Sequence, residues 1–215
     1  MPERLPSTEH RESALILADF NASGFAASLT HDAEHPRIAA HAAPFGDVRA
    51  LLDGAAAAGN DGHGMCVIWT RPEGVSASFA ALVATGEVAL ADVLADIDDF
   101  ATRIEHVSRR CARVVVATWQ PPRLNEAFRA LAMKADGGLS AVVMRMPLRL
   151  VERLSHLQGV TCLDTAAWVQ APDDALDSRM WYAAKVPFRQ EVFRRATRDI
   201  KSLLRASLGE SRKVI

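Results

Sequence analysis

Short apolar runs that alternate with longer helical patterns constrain the fold of this chain more than any other feature of its sequence. Each run is bounded by polar or turn-forming residues, which is typical of a strand buried in a parallel sheet. The run Met65–Trp69 is apolar throughout, whereas the run Arg37–Ala43 is weakened by its alanines. The pattern predicts five strands, at Ser13–Ala18, Arg37–Ala43, Met65–Trp69, Arg113–Trp119 and Val160–Asp164.

Apolar residues three and four positions apart predict helices between these runs, most clearly over Val88–Arg109. Asn21 suits the cap of a helix that begins at Ala22. Pro147 is expected to kink or begin its helix, because proline lacks the backbone N–H that a helix interior needs. The glycine- and alanine-rich segment Gly54–Gly64 predicts a loop. Further helices are predicted over Phe45–Leu52, Leu124–Lys134, Leu139–Leu157 and Phe188–Leu208.

This alternation predicts an α/β protein with a three-layer α/β/α, flavodoxin-like fold and a five-stranded, mainly parallel sheet. Right-handed crossovers give the strands the spatial order 2-1-3-4-5. With 215 residues, the chain is long enough for one domain with a sizeable core.

Composition excludes several classes of function. The net charge is -1 and the basic residues are dispersed, so no nucleic-acid footprint is present. No apolar run is long enough to span a bilayer, and the polar N-terminus lacks the apolar region of a signal peptide. Three widely spaced cysteines are typical of reduced thiols and predict a cytoplasmic protein. No cofactor or metal site is predicted, since the histidines lack ligand spacing and no glycine-rich phosphate loop follows the first strand.

Polar and aromatic side chains follow the predicted strands at their carboxyl ends, where parallel α/β sheets bind ligands. Trp69 and Trp119 end adjacent strands and are expected to wall a cleft, or else to fill the rim of the core. The carboxylates and the amide also suit simple helix or turn caps, so both interpretations stay open. The binding candidates at the strand ends are Asp19, Asn21, Trp69, Thr70, Arg71, Trp119 and Asp164.

The most specific pattern is the segment DSRMWYAAKVPF, from Asp177 to Phe188. With WTRPEGVSASFAAL, MRMPLRLVERL, VTCLDTAAWV and the final GESRKVI, it resembles the N-terminal, SGNH-like region of FkbH-like (HAD-IIIC phosphatase) proteins. The resemblance covers roughly residues 13 to 215. It implies an SGNH-like domain over 13–208 and the start of a missing or separate HAD-type phosphatase domain over 209–215. The polar, charged residues 1–12 before it are predicted to form a flexible N-terminus.

The same resemblance implies a role in glyceryl or acyl transfer to a carrier protein, or in polysaccharide or polyketide biosynthesis. A HAD-type phosphatase domain or an acyl carrier protein is the partner that it implies. Asp177 and Lys185 join the binding candidates through this motif, with Lys185 a contact for an anionic ligand or a phosphopantetheine arm. The alternatives are a turn cap for Asp177 and a solvated side chain for Lys185.

Departures from the family pattern argue against catalysis by this chain. SGNH hydrolases have Gly-Asp-Ser after the first strand, whereas this chain has Asp19-Phe20-Asn21, and an amide cannot act as a serine nucleophile. No histidine follows position 156, so the usual base is missing, and the HAD aspartates are also absent. No catalytic residue is therefore assigned with confidence.

Three hypotheses remain: a degenerate SGNH-like binding or docking domain, an SGNH-type esterase or acyltransferase with a remodelled site around Ser23, and an unrelated ligand-binding flavodoxin-like domain. The last predicted helix, Phe188–Leu208, is called the closing helix; its apolar spacing predicts that one face packs on the sheet. Its other face is expected to dock a HAD domain, together with the strand-like end Val214-Ile215. The cations predicted on that face are Arg194, Arg195, Arg198, Lys201 and Arg205.

Overall fold

The structure of the protein is a computed structural model. It describes residues 12–58, 63–86, 88–119, 132–135, 137–169 and 177–209. Five strands form one all-parallel sheet in the order β2-β1-β3-β4-β5, which confirms the predicted α/β fold and strand order. The strands are β1 (Glu12–Ala18), β2 (Ile38–Ala42), β3 (Met65–Trp69), β4 (Arg113–Ala117) and β5 (Val160–Leu163).

Helices cover both faces of this sheet. They are α1 (Ser23–His31), α2 (Val48–Ala57), α3 (Pro72–Val75), α4 (Ala77–Thr85), α5 (Leu90–Ser108), α6 (Leu139–Leu154), α7 (Ser178–Ala184) and α8 (Gln190–Ser207), with a short 3₁₀ helix at Thr165–Ala167. The core has two parts, one on each face of the sheet. Both include residues of β3, because successive side chains along a strand point to opposite faces. Cys66 and Ile68 pack with α2 to α6, whereas Met65, Val67 and Trp69 pack with α1 and α8.

The structure differs from the sequence prediction at several element boundaries. Helix α2 continues to Ala57, so the predicted loop begins too early; alanine's high helix propensity outweighs the single Gly54. Pro147 lies inside α6 and does not begin it. Helices α4 and α7 were not predicted. Most of the predicted helix Leu124–Lys134 lies outside the described residues, as do the N-terminus before Glu12 and the C-terminal end after Gly209.

Helix α8 confirms the predicted packing of the closing helix and corrects the prediction for its basic face. Val192, Phe193, Ala196, Ile200 and Leu204 are buried against the sheet. Among the predicted surface cations, Lys201 is fully buried. Its ammonium donates to the Asp32 carboxylate at 2.7 Å and to the Glu34 carbonyl at 2.7 Å.

Arg195 also belongs to the fold, because its guanidinium donates to the Trp168 carbonyl at 2.8 Å. Lys201 and Arg195 therefore anchor α8 and are not parts of a solvated face. Within the described residues, no helix has the length and apolar character needed to cross a membrane.

Candidate functional site

The carboxyl ends of β1 and β3 lie side by side, since Ala18 is the register partner of Trp69. The loops that follow these strands are joined by Asp19 and Arg71. One Asp19 oxygen accepts the backbone N–H of Arg71 at 3.0 Å, and the other accepts the guanidinium Nε at 3.0 Å. Two residues that are 52 positions apart in sequence therefore form one polar unit at the edge of the sheet.

The Asp19 carboxylate is held in a tight, largely buried position. Its side chain is only 5% exposed, and burial raises the pKa of this carboxyl, while the neighbouring Arg71 partly offsets that effect. Gly74 in α3 leaves the necessary room, because a Cβ at that position would lie 2.2 Å from an Asp19 oxygen. The close approach explains why a residue without a side chain occupies a helical position.

Helix α7 covers this unit with an aromatic ring. The guanidinium carbon of Arg71 lies 4.1 Å from the centroid of the Trp181 ring, and the Lys185 ammonium lies 5.1 Å from the same ring. Both distances are within the range of cation–π attraction. Arg71, Trp181 and Lys185, together with Asp19, are called the edge cluster below.

The segment resembling the FkbH-like motif forms a closed clasp around α7. At its start, the Asp177 carboxylate accepts the backbone N–H groups of Arg179 and Met180, which is an ordinary N-cap. The Asp177 N–H donates to the Pro187 carbonyl at 2.6 Å and joins the two ends of the segment. Phe188 then stacks on Trp69 with ring centroids 4.9 Å apart. The clasp therefore fixes Trp181 and Lys185 relative to the sheet.

Asn21 ties the first loop to the end of α7. Its backbone N–H donates to the Lys185 carbonyl at 2.9 Å, and its side-chain amide donates to the Ala184 carbonyl at 3.3 Å. The amide oxygen accepts the Ser23 N–H at 3.1 Å. Donor and acceptor groups of this side chain are thus both used within the fold.

Lys185 ends α7 in the left-handed conformation, with φ at 57°. Glycine is the usual residue at such a helix end, because a side chain makes this conformation costly. No other residue in the described part of the chain combines a side chain with a positive φ.

The structure places the remaining candidates away from the edge cluster or within the core. Trp69 and Trp119 are both buried and belong to the cores on opposite faces of the sheet, so the expectation that they wall one cleft is wrong. Thr70 accepts the indole N–H of Trp119 at 3.2 Å. Asp164 is exposed and caps the 3₁₀ helix through the Ala166 N–H.

Trp181 and Gly74 were not singled out from the sequence as site residues. Trp181 lies four positions before Lys185, a spacing that brings two side chains together on one helix face, and this signal was available. The contact of Gly74 with Asp19 had no sequence signal, because it depends on how α3 approaches β1.

The edge cluster has charge and an aromatic surface but no nucleophile with an adjacent base. The Ser–His hydrogen bond between Ser13 Oγ and His63 Nδ1, at 2.7 Å, lies at the start of β1 and β3, on the opposite edge of the sheet. In the part of the chain that the structure describes, no group of three or more potential metal ligands is present. The described residues of the edge cluster thus combine two cations, one carboxylate and an aromatic ring.

Comparison with known proteins gives the fold and no more. No family model matches the sequence, and no curated protein matches it. The structure is similar to the N-terminal part of the protein BF1531 from Bacteroides fragilis, which contains a phosphatase domain and is complexed with Mg. The TM-score is 0.72 and the identity 11%, over 94% of this chain and 54% of that one.

Two further solved structures share the fold. A carbohydrate acetylesterase family member from Sinorhizobium meliloti matches with a TM-score of 0.52 at 12% identity, over 92% of this chain and 99% of that one. The salicylyl-acyltransferase SsfX3 from a tetracycline biosynthetic pathway also matches at 0.52, with 13% identity, over 94% of this chain and 56% of that one. The SGNH-like α/β/α fold that the sequence resemblance implied is thereby confirmed. The chain spans about half the length of the phosphatase-containing structure.

Proposed function

We propose that this chain is a degenerate SGNH-like domain of the FkbH-like type, with a binding or docking role in place of catalysis. Its setting would be glyceryl or acyl transfer to a carrier protein, or polysaccharide or polyketide biosynthesis. The partner would be a HAD-type phosphatase domain or an acyl carrier protein. The fold shared with a protein that contains a phosphatase domain supports this choice of partner.

One observation carries the proposal: the residue in the nucleophile position of the SGNH pattern is occupied in holding the fold together. Asn21 bonds to the Ala184 carbonyl and to the Ser23 N–H, so its side chain links α1 to α7. A residue with that structural task has no group free to attack an acyl carbon. The carboxylate two positions earlier is likewise engaged, in the ion pair with Arg71.

The second candidate function is an SGNH-type esterase or acyltransferase that uses Ser23. Similarity in fold to an acetylesterase and an acyltransferase favours it. Ser23 is exposed at the first position of α1, but no hydrogen bond in the described structure joins its hydroxyl to a base. A serine hydroxyl without a base is a weak nucleophile.

Reaction with a fluorophosphonate probe and turnover of p-nitrophenyl acetate separate these two candidates. We expect neither labelling nor turnover above the buffer rate, and the same for p-nitrophenyl phosphate. Ser23→Ala and Ser13→Ala serve as matched variants, because Ser13 is the serine that does contact a histidine. Turnover that Ser23→Ala removes would establish the esterase and refute the non-catalytic proposal. Turnover that Ser13→Ala removes would place catalysis at the amino edge and refute it as well.

Docking of a HAD-type domain on α8 would use the cations that remain exposed there. Arg194 and Arg198 have side chains 63% and 61% exposed, and both lie near Glu191. Double charge reversal, Arg194→Glu with Arg198→Glu, should weaken co-purification with a co-expressed HAD-type domain while leaving the melting temperature nearly unchanged. Arg195→Glu is the contrasting variant and should lower the melting temperature, because that guanidinium is bonded to Trp168. Undiminished co-purification of the double variant would exclude this face as the docking surface.

A further inference from the structure

Trp181 differs from the other tryptophans of the chain in its surroundings. Trp69, Trp119 and Trp168 are at most 5% exposed and lie in the core. Trp181 is only partly buried, and its ring lies close to two cations from different elements, Arg71 after β3 and Lys185 at the end of α7. The ring therefore holds positive charge at the carboxyl edge, where α/β sheets bind their ligands.

The charges of the edge cluster are not balanced. Arg71 has the Asp19 carboxylate as its partner, but Lys185 forms no ion pair with any acidic residue in the described ranges. An aromatic ring stabilises a cation through its quadrupole and leaves the formal charge in place. Within the edge cluster, one carboxylate therefore faces two cations, and the cluster has one positive charge in excess.

Arg71 also retains capacity for a ligand. Its contact with Asp19 uses the Nε donor, and its side chain is 29% exposed. The guanidinium group has five N–H donors, which suit planar or tetrahedral oxyanions, and an ammonium group adds a point charge. This combination fits a phosphate group better than it fits a neutral ligand.

The backbone of Lys185 supports a role for its side chain. Glycine would end α7 at a lower conformational cost than a lysine at φ 57°. The lysine carbonyl and N–H are used in hydrogen bonds that glycine would also make, to the Asn21 N–H and the Trp181 carbonyl. Lysine therefore differs from glycine at this position only in its side chain, which places a positive charge close to the Trp181 ring.

We propose that Arg71 and Lys185 bind the phosphate group of an anionic ligand beside the Trp181 ring, with Asp19 as the positioning residue for Arg71. The inference rests on the proposed binding function and names its ligand chemistry. It assigns the edge cluster as the ligand site of a domain in which the former nucleophile position serves the fold.

Tryptophan fluorescence provides a direct test with inorganic phosphate as the probe. We expect saturable change on titration with sodium phosphate and a much smaller change with sodium chloride at the same ionic strength. Trp181→Phe should remove the response, because the other three tryptophans are buried in the core and out of reach of a dissolved ion. A phosphate response equal to that of chloride would overturn the proposal.

Lys185→Gly separates a ligand role from a structural one. It should weaken phosphate binding about tenfold, as the loss of one charge-assisted contact implies. The melting temperature should stay equal or rise, because glycine relieves the left-handed conformation. Lys134→Ala, which changes an exposed lysine outside the cluster, should alter neither quantity.

Unchanged phosphate affinity in Lys185→Gly would refute the site, whatever its stability. Arg71→Lys is the second variant, because it keeps the positive charge next to Asp19 and the fold intact. It should weaken phosphate binding, and full retention of affinity would exclude Arg71 from the site. The phosphate titrations and the fluorophosphonate and ester assays are independent measurements. A negative titration would therefore refute the phosphate site without refuting the proposal that the chain is non-catalytic.

Discussion

Both ends of the strands carry charged groups, but the two sets differ in burial and in the number of cations that face each carboxylate. At the amino edge, Glu12 and Arg113 form an ion pair at 3.1 Å, with both side chains about one quarter to one third exposed. At the carboxyl edge, Asp19 is nearly buried beneath Arg71, and a second cation lies over the Trp181 ring. Partial exposure leaves the first pair screened by water, whereas burial makes the second dependent on its partner. A buried charge at a strand end with unequal numbers of positive and negative neighbours therefore points to a site more strongly than a partly exposed pair of one cation and one anion.

The largest effect should come from removing the arginine of each ion pair. Arg71→Ala leaves a buried carboxylate with the backbone N–H of residue 71 but without its charged partner, and it should cost about 3 kcal/mol in the free energy of unfolding. Arg113→Ala removes a partly exposed pair that water screens, and it should cost about 0.5 kcal/mol. Urea denaturation of both variants checks the comparison. Equal losses would show that burial does not distinguish the two edges.

The loss of folding stability in Arg71→Ala should also depend on pH. Burial already raises the pKa of Asp19 above its usual value, and loss of Arg71 raises it further. A carboxyl with a raised pKa in the folded state contributes stability when protonated and loses that contribution as the pH rises through the folded-state pKa. The destabilisation should therefore be greater at pH 7 than at pH 4. A loss that grows towards acid pH would contradict the assignment of Asp19 as a buried carboxylate.

A smaller effect should come from adding a methyl group at the glycine next to each carboxylate. In Gly74→Ala the new Cβ would lie 2.2 Å from an Asp19 oxygen, and Arg71 holds that carboxylate in place. We expect a loss of about 2 kcal/mol despite the better helix propensity of alanine. In Gly64→Ala the nearest atom is an oxygen of Glu12 at 2.9 Å, at the end of a flexible side chain, so the loss should stay below about 1 kcal/mol. Thermal unfolding of the pair measures the difference, and a reversed order would refute the rigid position of Asp19.

The smallest effect on stability should accompany modification of a thiol near the amino edge. Cys66 donates a hydrogen bond to Cys111 and lowers the pKa of Cys111 to about 7, whereas burial raises the pKa of Cys162 to about 11. Because the thiolate is the nucleophile, iodoacetamide should alkylate Cys111 at neutral pH and leave Cys162 unmodified. Peptide mass spectrometry across a pH series measures both rates. Cys66→Ala should slow the reaction of Cys111 at pH 7; equal rates at Cys111 and Cys162 would contradict the comparison.

Much of the architecture was accessible from the sequence because it depends on local patterns. The run Met65–Trp69 is buried along its whole length and forms β3 with the predicted bounds. The strand order followed from alternation and the handedness of crossovers, neither of which requires knowledge of side-chain contacts. The apolar spacing in α8 likewise identified its buried face. Boundaries were less accurate, as at α2, where a helix propensity summed over several alanines outweighed one glycine.

The basic face of α8 shows where a sequence pattern stops being sufficient. Cations at helical spacing indicate a solvated face, yet Lys201 is buried because the turn after α1 brings the Asp32 carboxylate and two backbone carbonyls to its ammonium. A residue 169 positions away supplies the carboxylate. The sequence contains both partners and no sign that they meet.

Sequence alone determined the α/β class, the parallel sheet and the strand order, since each depends on residue type and short-range period. Tertiary structure decided which of the edge residues act together. Arg71 and Trp181 are far apart in the chain and meet because β1 lies beside β3 and Asn21 fastens α7 over both strand ends. Contacts of this kind depend on how elements pack, and packing depends on the whole core and not on any single segment.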